Sequence, residues 1–421
     1  MKVLVVGSGG REHSIIWNLS KDKKVKEIIC IGDNAGISKI AKLININIED
    51  LFLLEKTIKD QNPDLVVIGP EGPLSKGITD LLIKNNINVF GPTKQASQIE
   101  ASKIFAKRLM LDNGIPTPHA KFFNNHNEAI KYGNEVGFDN LVIKADGLAY
   151  GKGVFLPKSK LEMEEVIKSL IIEKKLGISG ESILLEDKIY GPEVSVFCFT
   201  DGSNFSEPIA ICDYKRVFED DKGPNTGGMG CYTPPEFWTD SLSNNIIENI
   251  ITPTLKSMQK NQTPFAGMLY TGIMLTNSGP KVIEYNCRFG DPECELIIPM
   301  FEGNLSEVLF DISNENFDPK KVKWKKQKGV CVVLCSGGYP ESYQTGFEIF
   351  GLDNIKKNLI FHAGTKKSEN KIITNGGRVL VLSNISKTIS ESRTTIYQEI
   401  DRIKFEGSFY RKDIALRAEE K

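Results

Sequence analysis

The stretch Lys144-Ala145-Asp146-Gly147-Leu148-Ala149-Tyr150-Gly151-Lys152-Gly153 decides how the chain folds. It has the glycines and lysines of a phosphate-binding loop without the spacing of a P-loop. Three residues separate Gly147 from Gly151, and Gly153 stands where a Ser or Thr would hold magnesium. Apolar runs at 141–145 and 154–156 flank the stretch, so a strand follows the loop where a P-loop has a helix. A glycine-rich loop between two strands is a flexible lid. Its amides can close over a polyphosphate, and Lys144 is a fixed cation on the strand leading in. An ordinary hairpin would not need three glycines and two lysines.

Upstream of the lid, residues 1–100 alternate short apolar runs (3–6, 27–31, 65–68 and 88–90) with helix-length segments, the pattern of a doubly wound parallel sheet. Three of these strands run directly into polar, glycine-bearing loops: Gly7-Ser8-Gly9-Gly10-Arg11-Glu12, Gly32-Asp33-Asn34-Ala35-Gly36 and Gly69-Pro70-Glu71-Gly72. Strand ends of a parallel sheet share one edge, so the loops converge on one crevice. In the first loop, Glu12 stands where a dinucleotide fingerprint needs its third glycine, which argues against NAD or FAD. Amides at the helix start, with Arg11 beside them, can hold a single phosphate monoester; the alternative is a plain strand-to-helix turn. A helix-like segment at 93–113 ends at Gly114-Ile115-Pro116-Thr117-Pro118, a boundary or hinge.

Downstream lie strands at 182–186 and 193–199, a helix near 241–260, and strands near 268–275 and 281–287. The run Lys281-Val282-Ile283-Glu284-Tyr285-Asn286-Cys287-Arg288 alternates with period two, which predicts Ile283, Tyr285 and Cys287 on one face and Glu284, Asn286 and Arg288 on the other. A carboxylate and an amide oxygen are hard ligands suited to magnesium, and Arg288 can stabilise a transferring phosphoryl group; the alternative is a solvated strand face. Gly223-Pro224-Asn225-Thr226-Gly227-Gly228-Met229-Gly230 carries more glycine than structure alone requires and lets something approach its backbone. Asp213, Lys215 and Arg216 just upstream add charge, or form only a surface turn. Strands at 330–334 and 378–382 and a helix near 390–403 read as a further small domain.

The length of 421 residues gives about three domains at roughly 150 residues each. Fifty-three Lys and Arg against 54 Asp and Glu leave a net charge of -1, which argues against general affinity for nucleic acid or an anionic membrane. The longest apolar runs are strand length, against roughly 20 residues for a membrane helix. The opening Met-Lys-Val-Leu-Val-Val-Gly is a first strand rather than a signal, so the expected location is the cytoplasm. Eight cysteines without Cys-x-x-Cys spacing are expected as buried reduced thiols, and four scattered histidines support no zinc site.

In their order these motifs resemble the ATP-grasp ligases, and within them the glycinamide ribonucleotide synthetase family, nearly end to end. The carriers are Gly9-Gly10-Arg11-Glu12-His13, Asn34-Ala35-Gly36, Gly69-Pro70-Glu71, 144–153, Lys215-Arg216, 223–230 and 284–293, then Ser336-Gly337-Gly338-Tyr339-Pro340, His362-Ala363-Gly364-Thr365 and Gly376-Gly377-Arg378. The resemblance implies a mixed α/β and α+β multidomain chain. An N-terminal doubly wound parallel sheet (1–102) would precede a central two-lobed ATP-grasp fold (103–322, lid lobe about 119–190) and a small C-terminal α+β domain (323–421). It implies ATP-dependent ligation of glycine to 5-phosphoribosylamine through glycyl phosphate, with ATP and Mg2+ or Mn2+; the chain is expected to be a monomer. Lys103, Lys144, Gly147, Gly151, Lys152 and Gly153 would then meet ATP, with Glu186 by the adenine and Glu193 at the ribose hydroxyls. Glu284 and Asn286 would hold the metal and Arg288 would lie at the transferred phosphoryl. Gly9, Gly10, Arg11, Glu12, Asn34, Gly36 and Glu71 would form the phosphoribosylamine pocket, and Asp213, Lys215, Asn225 and Gly228 would lie near glycine.

Four positions depart from the family's pattern: Tyr150 for a small alanine, Tyr214 for histidine, Glu295 for glutamine and Met300 for arginine. The run 268–275 has no acid, so metal binding should lean on ATP itself. Rival readings are another ATP-grasp carboxylate-amine ligase, which the N-terminal loops would distinguish, and a nucleotide-binding regulator without catalysis, against which Lys144, Glu284, Asn286 and Arg288 all stand.

Overall fold

Four successive apolar residues, Val3, Leu4, Val5 and Val6, need cover on both faces of a strand. The computed structural model describes residues 1–148, 153–177 and 181–419 and provides that cover. Lys2–Val6 is the middle strand of a five-stranded parallel sheet, with Glu27–Ile31 and then Lys42–Ile44 on one side and Leu65–Ile68 and then Val89–Phe90 on the other. Val3 and Val5 pack with Ile15, Ile16 and Leu19 of one helix, while Leu4 and Val6 pack with Leu54, Ile58, Leu74 and Leu82 on the opposite face. This is the doubly wound arrangement, and it brings the three glycine-bearing loops to one edge.

The expected lid residues Ala149, Tyr150, Gly151 and Lys152 lie outside the described residues. The described residues on either side belong to a four-stranded antiparallel sheet in the order Ala120–Phe123, Ile183–Asp187, Leu141–Ala145, Val154–Phe155. Helices His126–Val136 and Lys160–Ile171 cover it, each started by a side-chain cap, Asn125 and Ser159 respectively. Ala129, Met163, Ile167 and Leu170 close a separate small core with Leu141, Ile143, Ile183 and Leu185.

The second large sheet has eight antiparallel strands. Its order is Gly279–Asn286, Ala266–Thr276, Glu193–Asp201, Ile209–Asp213, Gly230–Thr233, Lys328–Cys335, Arg378–Ser386, Leu359–His362. Cys231 and Cys331 face each other in the register, so the sheet runs without a break from the central strands into those of the C-terminal segment. All eight cysteines are buried and free. Among the described residues no helix is long and apolar enough to cross a membrane.

Four local expectations need correction. The segment 93–113 is two helices, Gln98–Ala101 and Lys103–Asp112, because extended Ser102 breaks the first and caps the second through Phe105 N at 3.0 Å. The helix expected over 241–260 is interrupted by a π-turn at Ile247–Ile251, just before Pro253, whose nitrogen has no hydrogen for the ladder. Half of the glycine loop 223–230 is strand: Lys222–Asn225 pairs with Arg216–Phe218 in a hairpin, and Gly230 opens the next strand.

The fourth correction concerns the alternation at 281–288, where a bulge opposite Gly272 and Ile273 leaves Ile283 unpaired. Val282, not Ile283, therefore joins Tyr285 and Cys287 in the core. Glu284 keeps its expected side, and the displaced Ile283 carbonyl becomes an acceptor.

Candidate active site

The site forms where the loop edge of the N-terminal sheet meets the end of Gly279–Asn286. Glu284 sits half-buried among four cations, Lys215, Lys144, Lys103 and Arg288. Burial pushes its carboxyl up, but these four charges more than offset that and hold it below the ordinary carboxylate range. Each cation is fixed. Lys144 Nζ donates to Glu186 Oε1 and to the bulged Ile283 carbonyl, both at 2.9 Å. Lys103 Nζ donates to Gly147 O at 2.9 Å. Lys215 Nζ lies 2.9 Å from Glu193 Oε2.

Arg288 ties this group to the N-terminal loops. Its Nε lies 2.9 Å from Glu71 Oε2, its Nη2 lies 3.3 Å from Glu100 Oε1, and its Nη1 donates to Phe289 O at 3.0 Å. Burial raises the Glu71 carboxyl, yet Arg288 and then Arg11 bring it down to about 2. The Glu100 carboxyl moves the other way, raised by burial against the pull of Arg288.

The first loop also explains Glu12. Its carboxylate accepts from Gly9 N and from Arg11 Nε, both at 2.6 Å, and a Cβ on Gly69 would lie 1.9 Å from its Oε1. Glu12 thus holds the helix start and aims Arg11. Gly9 brings no capping side chain to the first turn of Gly10–Leu19, a helix start of the kind that can hold an anion. Asn34 braces the second loop: its amide nitrogen donates to Ser8 O at 2.8 Å and His362 O at 2.7 Å, and its oxygen accepts from Gly36 N at 2.8 Å. Gly36 lies against His13 and His362, where a Cβ would meet His13 at 2.4 Å.

On the glycine-loop side, burial raises the Asp213 carboxyl, only partly opposed by Lys215. Ser195 Oγ donates to Asp213 Oδ1 at 3.4 Å. Tyr214 is clamped from the C-terminal segment, with Arg411 and Arg417 over its ring at 4.8 and 5.2 Å and Ala415 N donating to its hydroxyl at 3.0 Å. Gly228 is buried against Pro292, whereas Asn225 is exposed on the hairpin, opposite Arg216. Gly153 is buried, and its carbonyl accepts from Ala145 N at 2.8 Å.

Sequence reasoning missed Glu100, Lys107, Asp146, Asp291 and Arg378 as individual contributors. Asp146 accepts from Ser102 Oγ at 2.9 Å and Ile104 N at 3.1 Å, fixing the start of the lid. Arg378 donates to Gly227 O and Asp291 O, both at 2.7 Å, so a residue of the C-terminal segment pins the glycine loop. Lys107 stands one helical turn after Lys103, a spacing visible in the sequence, but its burial against Glu186 is not.

The two candidate metal ligands, Glu284 and Asn286, fit a magnesium ion that also takes nucleotide phosphates. Both offer oxygen, Glu284 is held ionised, and among the described residues no cluster of three or more His, Cys, Asp or Glu forms a protein-only cage.

Glu295 is fully buried and neither carboxyl oxygen has a hydrogen-bond partner. A Cβ on Gly10 would lie 2.2 Å from its Oε1, so the acid is packed directly beneath the first helix. Burial, then Asp291, pushes this carboxyl well above its ordinary 4.5. The folded chain keeps a proton that the unfolded chain releases above that pH, so this group makes stability fall as pH rises from 5 to 8. Glu295→Gln removes the slope. Thermal unfolding should show the variant more stable by about 1–3 kcal/mol at pH 8, with the gain shrinking toward pH 5. Equal pH slopes for the two proteins would reject this account.

Residues 1–100, 101–294 and 329–417 match, in order, the N, ATP-grasp (A) and C domains of phosphoribosylglycinamide synthetase. A phosphoribosylamine–glycine ligase of Caldanaerobacter subterraneus subsp. tengcongensis is 42% identical over 415 residues, covering 99% of each chain. The trifunctional purine biosynthetic protein adenosine-3 of Homo sapiens is 40% identical over 422 residues, which span 99% of this chain and 42% of that protein. The crystal structure of phosphoribosylamine–glycine ligase from Thermotoga maritima superposes with a TM-score of 0.86 at 32% identity, covering 99% of this chain and 100% of that one. A biotin carboxylase from Campylobacter jejuni, 13% identical with a TM-score of 0.75, shares the fold. With domains matched in order and relatives aligned along nearly the whole length, the chain belongs to the phosphoribosylglycinamide synthetase family.

Proposed function

We propose that this enzyme joins glycine to 5-phosphoribosylamine at the expense of ATP, through glycyl phosphate, giving glycinamide ribonucleotide, ADP and phosphate in purine biosynthesis. The observation that carries the proposal is the placement of Glu284 among Lys103, Lys144, Lys215 and Arg288, with Arg288 reaching Glu71 of the N-terminal crevice. A polyphosphate site and a second substrate pocket thereby share one guanidinium.

A carboxylate is a poor electrophile until one oxygen becomes a phosphate leaving group. In the first step a glycine carboxylate oxygen attacks the γ-phosphorus, and the bond to the β-phosphate oxygen breaks as ADP departs. In the second, the amine of phosphoribosylamine attacks the acyl carbon, loses a proton, and expels phosphate carrying the former glycine oxygen. The protein's part is positioning and charge neutralisation. Lys103 and Lys144 meet the phosphates, the lid with Gly147, Gly151, Lys152 and Gly153 covers them, Glu186 reads the adenine and Glu193 the ribose. Arg288 stabilises the phosphoryl in flight. Magnesium or manganese held by Glu284 and Asn286 would supply charge neutralisation on the phosphate oxygens. Gly9, Gly10, Arg11, Gly36 and Glu71 line the phosphoribosylamine pocket, with Glu12 and Asn34 shaping it. Asp213, Lys215, Asn225 and Gly228 serve glycine.

We keep the division 1–102, 103–322 and 323–421, a monomer in the cytoplasm, and small-molecule partners without nucleic acid or membrane, the last resting on the balanced charge. The test is isotopic. With glycine labelled by oxygen-18 in its carboxylate, label should appear in inorganic phosphate, and ADP should form only when glycine and the amine are both present. Unlabelled phosphate, or full turnover without the amine, would reject the acyl-phosphate route.

A further inference from the structure

Glu186 is 2% exposed and faces two ammonium groups: Lys144 Nζ at 2.9 Å from Oε1 and Lys107 Nζ at 2.8 Å from Oε2. Lys107, also 2% exposed, stands on the inner side of the helix Lys103–Asp112. Its ammonium also donates to Thr117 Oγ1 at 2.5 Å and Pro118 O at 3.1 Å, in the hinge. Thr117 Oγ1 in turn donates to Val282 O at 2.9 Å, next to the bulged Ile283 whose carbonyl binds Lys144. The bonds close a circuit from the lid strands, through the hinge, to the strand of Glu284, with Lys107 as its fixed corner.

One buried carboxylate here balances two buried cations. When a polyphosphate draws Lys144 toward itself, Glu186 would be left as a bare buried charge unless a second cation stays behind, and an unpaired buried charge is strongly unfavourable. Lys107 is that cation: it is ion-paired with Glu186 Oε2 and hydrogen-bonded to Thr117 and Pro118, groups that do not belong to a nucleotide. We propose that Lys107 is a positioning residue of the nucleotide site: it anchors Glu186, so that Lys144 can engage the phosphates while Glu186 stays in place to read the base. The inference rests on the ATP reading above.

The test is Lys107→Met, followed by calorimetric titration with ADP and steady-state kinetics with ATP and GTP. The Kd for ADP and the KM for ATP should each rise at least tenfold and the preference for ATP over GTP should fall, while the KM for glycine stays within twofold. A merely structural lysine would leave the base preference unchanged. An ADP Kd within twofold of wild type in the folded variant, or an intact base preference, overturns the proposal. Should Lys107→Met fail to fold, Lys107→Met/Glu186→Gln, which removes both buried charges, is compared with Glu186→Gln alone. Equal ADP affinity supports the proposal, and a further tenfold loss overturns it. Wild-type protein that binds ADP yet makes no glycinamide product would reject the ligase reading and leave this test readable.

Discussion

Glu284→Gln should lower kcat by about a thousandfold, roughly 4 kcal/mol of transition-state stabilisation, with little loss of fold stability. The carboxylate lies among Lys215, Lys144, Lys103 and Arg288, so the protein already supplies four positive charges to this place. Glutamine keeps the shape and one oxygen but removes the negative charge a divalent cation needs. It also leaves the lysines with one anion fewer between them, so the phosphates of ATP can still bind while the metal is not held. The expected signature is therefore split: ATP affinity within a few-fold of wild type, a collapsed kcat, and partial recovery only at magnesium concentrations far above those that saturate the wild type. Near-normal rates at limiting magnesium would reject the metal role. Restoration of full rate by monovalent salt alone would point instead to simple charge balance.

Much of this site could be read along the chain because its determinants are local. A glycine that lets a ligand approach, a lysine on the strand into a loop, and a period-two run carrying Glu284, Asn286 and Arg288 each sit within about ten residues of sequence. What could not be read depends on partners far away in sequence. The bulge at Ile283 arises from pairing with Gly272 and Ile273 in another strand, and it supplies the carbonyl that fixes Lys144. Arg378 holds the Gly227 carbonyl from a strand of the C-terminal segment. Glu100 shares Arg288 only because its short helix ends beside Cys287, whose N–H it accepts at 2.7 Å. Composition places a buried lysine such as Lys107 on the surface by default, and only the tertiary arrangement of Glu186, Thr117 and Pro118 reverses that. Glu12 shows the same limit from the other side. Its departure from a dinucleotide fingerprint was visible, but its work as a brace for Gly9 and Arg11 was not.

Arg288→Met should abolish turnover and also cost about 3–5 kcal/mol of stability at pH 7, because it strips the shared partner from two enclosed carboxylates. The pH dependence separates this from a simple packing defect. In the wild type, Glu71 is held near 2 against an ordinary 4.5, so its contribution is present above pH 4.5 and is lost as pH falls toward 2. Without the guanidinium, Glu71 keeps only the weaker pull of Arg11 against burial and its carboxyl rises, while Glu100, already raised in the wild type, rises further. Glu71 then contributes less stability at neutral pH, and Glu100 favours its protonated folded state more strongly, so stability falls more as pH rises above 4.5. The deficit of the variant should accordingly be small near pH 4 and grow toward pH 7, measured by urea unfolding at fixed ionic strength. Arg288→Lys distinguishes structure from catalysis. A single ammonium can satisfy one carboxylate, but it cannot reproduce the fork that serves Glu71 through Nε, Glu100 through Nη2 and Phe289 O through Nη1. It should regain part of the stability with kcat still at least a hundredfold down. A lysine variant with wild-type turnover would show that positive charge alone suffices at this position, and a methionine variant as stable as wild type at pH 7 would mean that Glu71 and Glu100 find protons or water without Arg288.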